Sequence, residues 1–456
     1  MLLWFAASEF PVVPFFSFLT SVPSTGTGPH RRQVRGVVPF FSFLTSVPRS
    51  FDRVLSGLLV ASLLIDAGVT AARISRRGDS VPFVQIGRAC DSVFALSTGM
   101  LILLNQHCLQ PWMYHFLILT PLLWLHALRP VASADSKRSE DETCPTGSSV
   151  DYSRQAIIWL TASIYVWSAW SKLDWSFLHS HGPKFVNAIC EAVGLSTQFW
   201  SDRTWLIAAA CLSVGELFVG VAFLFRKTRA CGLAASVVMH LLLVVAVGPW
   251  VLDHKAGVLL WNGYFIAQNV ILFLAERRSS AASELPGNNS ATGSSHARIA
   301  SKGTPQRAVF VLAVGALLFP AFRAVGYCDT WPAWAVYASS PARILVQVRD
   351  NEVERLPKRI LPFVESRRGN DGWLWLRIDL WSLAATGSPI YPEDRFQLGV
   401  AVSVTRGFDL RDGIRIIHEN ESDRWTGIRE RTDVSGAAEM ADLESRFRLN
   451  VKPRCR

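Results

Sequence analysis

AIIWLTASIYVWSAWSKLDWSFLHSHGPKF, residues Ala156–Phe185, is the stretch on which the reading of this chain turns. It begins as an apolar helix long enough to enter a bilayer, and it carries Lys172 and Asp174 where that helix is expected to reach the far interface. Ionisable side chains at membrane depth are costly and usually face a bundle interior or a water-filled cavity, which makes Lys172 a functional candidate. The alternative is a lysine that snorkels to the headgroups while Trp167, Trp170 and Trp175 form part of an aromatic belt. Helical spacing puts Thr161, Tyr165, Ser168 and Lys172 on one face, a stripe of hydroxyls ending in an amine. The opposite face presents Trp159, Leu160, Val166, Trp167 and Trp170, with Ser163 the polar exception, and suits lipid or apolar packing.

Composition extends this reading to the whole chain. Half of the 456 residues are hydrophobic and mean hydropathy is +0.24. The apolar residues are gathered into blocks, the pattern of a polytopic membrane protein. The 17 Trp suit interfacial anchoring. The net charge of +10 resides largely in loops beside the apolar blocks, so it argues for membrane orientation and leaves no separate basic patch for nucleic acid. The cysteines are scattered without a CxxC pair, which disfavours a redox motif or a zinc ribbon. Cys211 and Cys231 read as small core residues. Cys328 and Cys455 could pair if the tail is extracytoplasmic.

Eight spans are expected: Val54–Ala71, Asp91–Leu104, Tyr114–Leu128, Ala156–Leu173, Trp205–Phe225, Cys231–Val247, Val258–Ala275 and Ala308–Phe322. The segment after Asp174 is too mixed to span and reads as a short interfacial helix or re-entrant piece. Alternate loops carry 16 Lys or Arg against 3 in the others. That asymmetry places the basic set in the cytoplasm and the C-terminal tail outside, in a membrane of the bacterial inner (plasma) type. Arg31, Arg32, Arg35, Arg49 and Arg53 conflict with it, so either a further crossing or re-entrant piece exists or the leader is not part of the true protein.

The ends differ from the middle. VVPFFSFLTSVP occurs at Val12–Pro23 and again, unchanged, at Val37–Pro48. Each copy is too short to span, so residues 1–50 are expected to be a poorly ordered leader, removable without loss of insertion or folding. Residues 51–326 form the bundle and 327–456 a small α+β domain. Within that tail Arg343–Val348, Trp373–Trp381, the run from Val400 and Ile414–Glu419 read as strands, and Ala437–Leu449 as a helix behind Ser435 and Gly436. The fold class expected is therefore an all-α polytopic membrane bundle of about eight transmembrane helices with a small C-terminal α+β extracytoplasmic domain.

Three pieces in order, YVWSAWSKLDW at Tyr165–Trp175, GELFVGVAFLFRKTRACG at Gly215–Gly232 and MHLLLVVAVGPW at Met239–Trp250, resemble the HTTM family. That family is the transmembrane module shared with vitamin K-dependent γ-carboxylases, similar in plan to the DoxX and MauE membrane proteins. The resemblance covers roughly residues 54–275 and implies that Lys172, in SKLD, matches the lysine of the KKLD segment that serves those enzymes as the base for reduced vitamin K. A lysine partly removed from water favours its neutral form, which suits it to act as a base. The chain departs from the animal enzymes in having one lysine and a shorter tail, so carboxylation of protein glutamates does not carry over. Glu216 and His240, each near the centre of its span, are the other site candidates, with Glu216 pairing either Lys172 or His240 across helices. His254 and Asp253 could join them only in a metal site of unusual spacing, and no metal site is expected.

Two readings follow. In the first, Lys172 is a general base with Glu216 and His240 as polar partners, in a bilayer pocket for a quinone- or quinol-like lipid. In the second, the chain is a non-catalytic scaffold or maturation factor of the MauE/DoxX type whose tail contacts a protein partner.

Overall fold

The computed structural model describes residues 37–48, 50–76, 81–127, 148–254, 256–283, 304–365, 372–410 and 413–454. Each expected apolar segment is helical: α1 (Ser50–Arg76), α2 (Val81–Leu104), α3 (Pro111–Ala127) and α4 (Ser148–Lys172). After the short α5 (Trp175–His179) and α6 (His181–Ala192) come α7 (Asp202–Leu224), α8 (Arg229–Val247), α9 (Ala256–Ser283) and α10 (Thr304–Leu318). Five of these hold stretches long and apolar enough to cross a membrane: Ser50–Ala72, Pro82–Leu104, Asp202–Leu224, Arg229–Val247 and Ala256–Phe273. Their outward faces stay apolar, as Ile207, Val214 and Phe218 on α7 show. An exposed apolar helix face of this length is stable only against lipid. Cys211 and Cys231, expected in the core, are exposed on such faces; in a bilayer the outside of the bundle is as apolar as its inside, so an apolar block does not imply burial in protein.

The tail carries five antiparallel strands, β1 (Arg343–Arg349), β2 (Val364–Glu365), β3 (Trp373–Leu376), β4 (Ile414–Glu419) and β5 (Arg431–Ser435), in the order β2-β3-β1-β4-β5. It also has the helices α11 (Ile378–Thr386), α12 (Asp394–Phe408) and α13 (Gly436–Ser445). Two strand expectations fail here. The run from Val400 lies in α12, where every residue from Arg395 to Thr405 is buried, polar ones such as Gln397 and Ser403 included; a short run of valines within such an element reads as a strand when taken alone. Trp373–Trp381 is a strand only to Leu376. Arg377 then leaves the ladder, its amide donating to Phe363 O and its guanidinium bridging Glu365 and Asp379, and Asp379 sits in the first turn of α11.

Tail and bundle share one core. Leu55, Leu59 and Leu63 of α1 and Leu101 and Leu104 of α2 pack in a single cluster with Ile344 and Val346 of β1 and Phe396 and Leu398 of α12. At its centre Arg395 of α12 is buried, with Nε donating to Gln106 Oε1 at 2.9 Å, both Nη groups on the Asp329 carboxylate, and Glu393 at 3.6 Å. The tail thus lies at the bundle end that also carries the loops after α2, α4 and α8, as Tyr337 OH near His254 Nδ1 (3.4 Å) confirms for the last.

The second copy of the repeat is part of this junction, which corrects the expectation of an unordered leader for residues 37–48; residues 1–36 lie outside the described set. Val38 is fully buried and faces Gly399 so closely that a Cβ there would lie 2.7 Å from Val38 Cγ2. Phe40 N donates to Leu103 O, and Arg454 donates to Val47 O and Pro48 O while pairing with Asp52 at 2.7 Å. A truncation starting at residue 37 keeps all of these contacts. One starting at residue 49 should lose about 2–4 kcal/mol from the vacated Val38 site and the carbonyls lost to Arg454. Equal melting temperatures for the two truncations would show that the segment is dispensable.

Candidate functional site

Helix α4 positions the site. Antiparallel α7 lies close against it because Gly220 leaves room: a Cβ there would stand 2.8 Å from Val166 Cγ2 and 2.9 Å from Val166 N. From that contact, four residues back along α7 and six forward along α4 bring Glu216 level with Lys172. Lys172 Nζ donates to Glu216 Oε2 at 2.6 Å and to Ser168 Oγ at 2.9 Å, and the two side chains are 15% and 14% exposed. Helix α4 therefore ends opposite the interior of α7 rather than opposite its end. Glu216 stands roughly 20 Å along the axis from the α7 N-terminus at 1.5 Å per residue. The remaining length of α7 is covered by α6, whose Gly182 meets Ala209. The chain turns between α4 and α6 at Asp174, a buried residue whose Oδ1 accepts the Phe177 amide at 2.6 Å and so caps α5. Lys172 also complements the dipole at the C-terminal turn of α4.

The hydroxyl stripe is fully engaged. Tyr165 OH stands 2.6 Å from His240 Nε2 and 3.1 Å from Ser236 Oγ, and accepts from Asn269 Nδ2 at 2.8 Å. His240 Nδ1 is held by Asn262 Oδ1 at 2.8 Å, and the imidazole stacks on Phe265. Of the two partners open to Glu216, Lys172 takes it and His240 belongs to Tyr165. One turn further down, Thr161 Oγ1 accepts from Gln268 Nε2 at 3.0 Å. Gln268 Oε1 in turn takes the Tyr264 hydroxyl and lies 3.2 Å from His115 Nε2. His115 was not singled out by the sequence; its only signal there is a lone histidine near the start of an apolar span. Asn269 Oδ1 is buried with no partner among the described residues. An orphaned acceptor beside Tyr165 and Ser236 is what a hydroxyl, from water or a ligand, would satisfy.

No known family model, curated protein or solved structure matches the chain. The arrangement is thus read on its own chemistry. The Lys172 amine and the Glu216 carboxylate form a direct ion pair across the two helices. A merely snorkelling lysine would point its amine out of the bundle; this one points across it. His254 lies apart, in the loop after α8 beside Tyr337, where burial holds its imidazole below the ordinary value. No group of three His, Cys, Asp or Glu residues gathers at metal-binding distance among the described residues.

The tail is fastened to the end of α4, beside the site. Arg424, between β4 and β5, donates from Nη2 to Trp170 O at 2.5 Å, and its own carbonyl accepts the Trp175 amide at 2.8 Å. Its guanidinium lies 3.9 Å from the Trp170 ring centroid. It therefore occupies backbone groups that the end of α4 and the start of α5 leave open. Nothing in the local sequence around Arg424 marks it, because its partners are about 250 residues away.

Proposed function

We propose that the chain is an eight-span membrane protein in which Lys172 and Glu216 handle a proton for a quinol-like, lipid-borne substrate, as its resemblance to the HTTM family implies. What supports this reading is a largely but not fully buried amine–carboxylate pair between two helices, at the end of a continuous hydroxyl stripe. In the working form Glu216 takes the lysine proton, and the free amine lone pair of Lys172 then accepts a proton from a substrate hydroxyl. The pair then holds the proton taken from the substrate, and its return to the substrate oxygen or release from Glu216 to water at the bundle edge restores the ion pair. Tyr165, His240 and Ser236 form the adjoining polar wall, and the open Asn269 acceptor supplies a place for a second hydroxyl. A quinol would bring the acidic hydroxyls and the isoprenoid solubility that such a site at a lipid-facing helix end can use. The 16-to-3 asymmetry in basic residues favours a cytoplasmic side for the loops opposite the tail and an extracytoplasmic tail, in a bacterial inner membrane.

A second reading is favoured by a different feature. The Lys172 amine is satisfied within the protein, and the tail has a pocket of about 550 Å³ lined by Arg349, Asp350, Asn351, Gly372 and Trp373. Arg415 lies 4.3 Å over the Trp373 ring. A scaffold or maturation factor that contacts another protein through this face would use the ion pair only to hold α4 against α7. Mass spectrometry of lipids and quinones that co-purify with the native chain and with Lys172→Met separates the two. A quinone enriched with the native protein and lost from the variant is the expected result. Equal lipid profiles would leave the scaffold reading ahead.

A further inference from the structure

We infer that the tip of the β4–β5 loop, Trp425 to Ile428, is inserted in the bilayer beside the end of α4, so that the tail is itself a membrane-embedded element and not only a domain standing outside. Trp425 is 73% and Ile428 70% exposed. Large apolar side chains at that level of exposure on a loop tip are costly in water and favourable in lipid.

Three independent observations select the bilayer as what covers them. The first is position. Arg424 fastens the loop to both Trp170 and Trp175, and these residues flank Lys172, which lies opposite Glu216 inside the span of α7. Helix α7 exposes Ile207, Val214 and Phe218 along its length, so the loop tip is attached at a level where the neighbouring helix meets lipid. Phe322 and Val325, at the end of the apolar segment Phe310–Val325, are exposed as well, and Arg323 between them ties that segment to Glu421 at the base of the same loop.

The second observation is backbone satisfaction. Irregular backbone enters an apolar layer only if its polar groups are already paired. Asp423 Oδ1 accepts from the amides of Trp425 (3.0 Å) and Thr426 (2.7 Å) and from Thr426 Oγ1, the Gly427 amide donates to Asp423 O at 2.9 Å, and the Asp423 amide donates to Ile428 O. The Ile428 amide reaches Thr426 Oγ1 at 3.4 Å. The turn thus pairs its amides within the loop, while the carbonyls of Trp425, Thr426 and Gly427 and the exposed Asp423 carboxylate are left for the hydrated headgroup layer, so that it is the two apolar side chains that reach the acyl chains.

The third is rigidity. Gly427 adopts φ +70°, and a Cβ there would lie 2.2 Å from Trp175 Cδ1. The indole of Trp175 is laid directly on the turn, which fixes the tip against the bundle instead of leaving it free to reach a soluble partner. The guanidinium of Arg424, between Trp170 and Trp425, supplies the cation that interfacial aromatic residues commonly accompany.

The test is collision accessibility of nitroxides in the full chain reconstituted in nanodiscs of phosphatidylcholine and phosphatidylglycerol. Trp425→Cys and Ile428→Cys would each be labelled in a background lacking the native cysteines, with position 214 on α7 as the lipid reference and position 354 as the aqueous one. Oxygen should be favoured over a water-soluble nickel chelate at 425 and 428 by a ratio close to that at 214 and several-fold above that at 354. A ratio like that at 354 overturns the proposal and marks the tip as a surface for a soluble partner. The unmodified protein gives the same answer by a second route. A diazirine-bearing lipid should label the peptide around residues 420–430 and spare that around 350–358, and the absence of label from 420–430 would equally sink the inference.

Discussion

Replacing Arg395 with methionine is expected to cost about 3–5 kcal/mol, the loss associated with leaving a buried charge without its partner. The guanidinium is the cation shared by Asp329 and Glu393, and it also holds Gln106 at the end of α2. Tyr391 OH donates to the same Asp329 carboxylate at 2.5 Å, so removal of the cation leaves two carboxylates facing each other in a site closed by tail and bundle together. Because one hydrophobic cluster crosses that boundary, the whole molecule's melting temperature should fall rather than that of the tail alone. Thermal unfolding in detergent would read it, and the double variant Arg395→Met with Asp329→Asn should recover much of the loss. No recovery would assign the effect to the stacking of Arg395 on Phe40. The same cluster gives a pH dependence. Burial, then Asp329, raises the Glu393 carboxyl above its ordinary range, against the opposing pull of Arg395. A carboxyl raised in the folded state contributes stability below its unfolded value and loses it as pH rises through the folded value. Stability attributable to Glu393 should therefore decline from mildly acidic pH upward, and Glu393→Gln should flatten that slope. A slope unchanged in the variant would remove Glu393 as its source.

The helices were legible because hydropathy is a local signal, and each of the eight apolar segments is helical. Length was less legible. Among the described residues α3 covers 17 positions with Pro121 inside and α10 covers 15, fewer than the five helices of crossing length. In the tail, the buried run of α12 and the Trp-rich run ending in α11 defeat periodicity, since burial on every side erases the alternation that marks a strand. The hydroxyl stripe on α4 could be read from spacings of three and four residues, and Glu216 could be named as a partner type. What could not be read is that α4 stops opposite Glu216 with Arg424 on its end, since that contact joins distant parts of the chain. The repeat is the sharpest case. Its second copy is packed against Gly399, Asn450 and Arg454, and no property of twelve residues taken alone foretells partners some 400 positions away.

The ion pair between Lys172 and Glu216 gives the second large effect, and variants of the two residues separate its structural from its chemical contribution. Lys172→Met alone keeps most of the stem's bulk but strands the Glu216 carboxylate, and Glu216→Gln alone strands the ammonium; each should lower stability by about 3–5 kcal/mol or force the remaining group to its neutral form. The double variant Lys172→Met with Glu216→Gln leaves no unpaired charge and should melt near the native temperature, because a buried pair replaced by neutral groups of similar volume is often no less stable. Chemistry follows a different order. If the pair moves a proton, quinone retention and any linked turnover should be absent from both single variants and from the double variant, although the double variant folds. Lys172→Arg would keep a cation for Glu216 but supply no base near neutral pH, so it should also be folded and inactive. A double variant that folds and still retains its lipid at the native level would show that the amine and carboxylate only fasten α4 to α7, and the hydroxyl stripe would then end at a structural clasp.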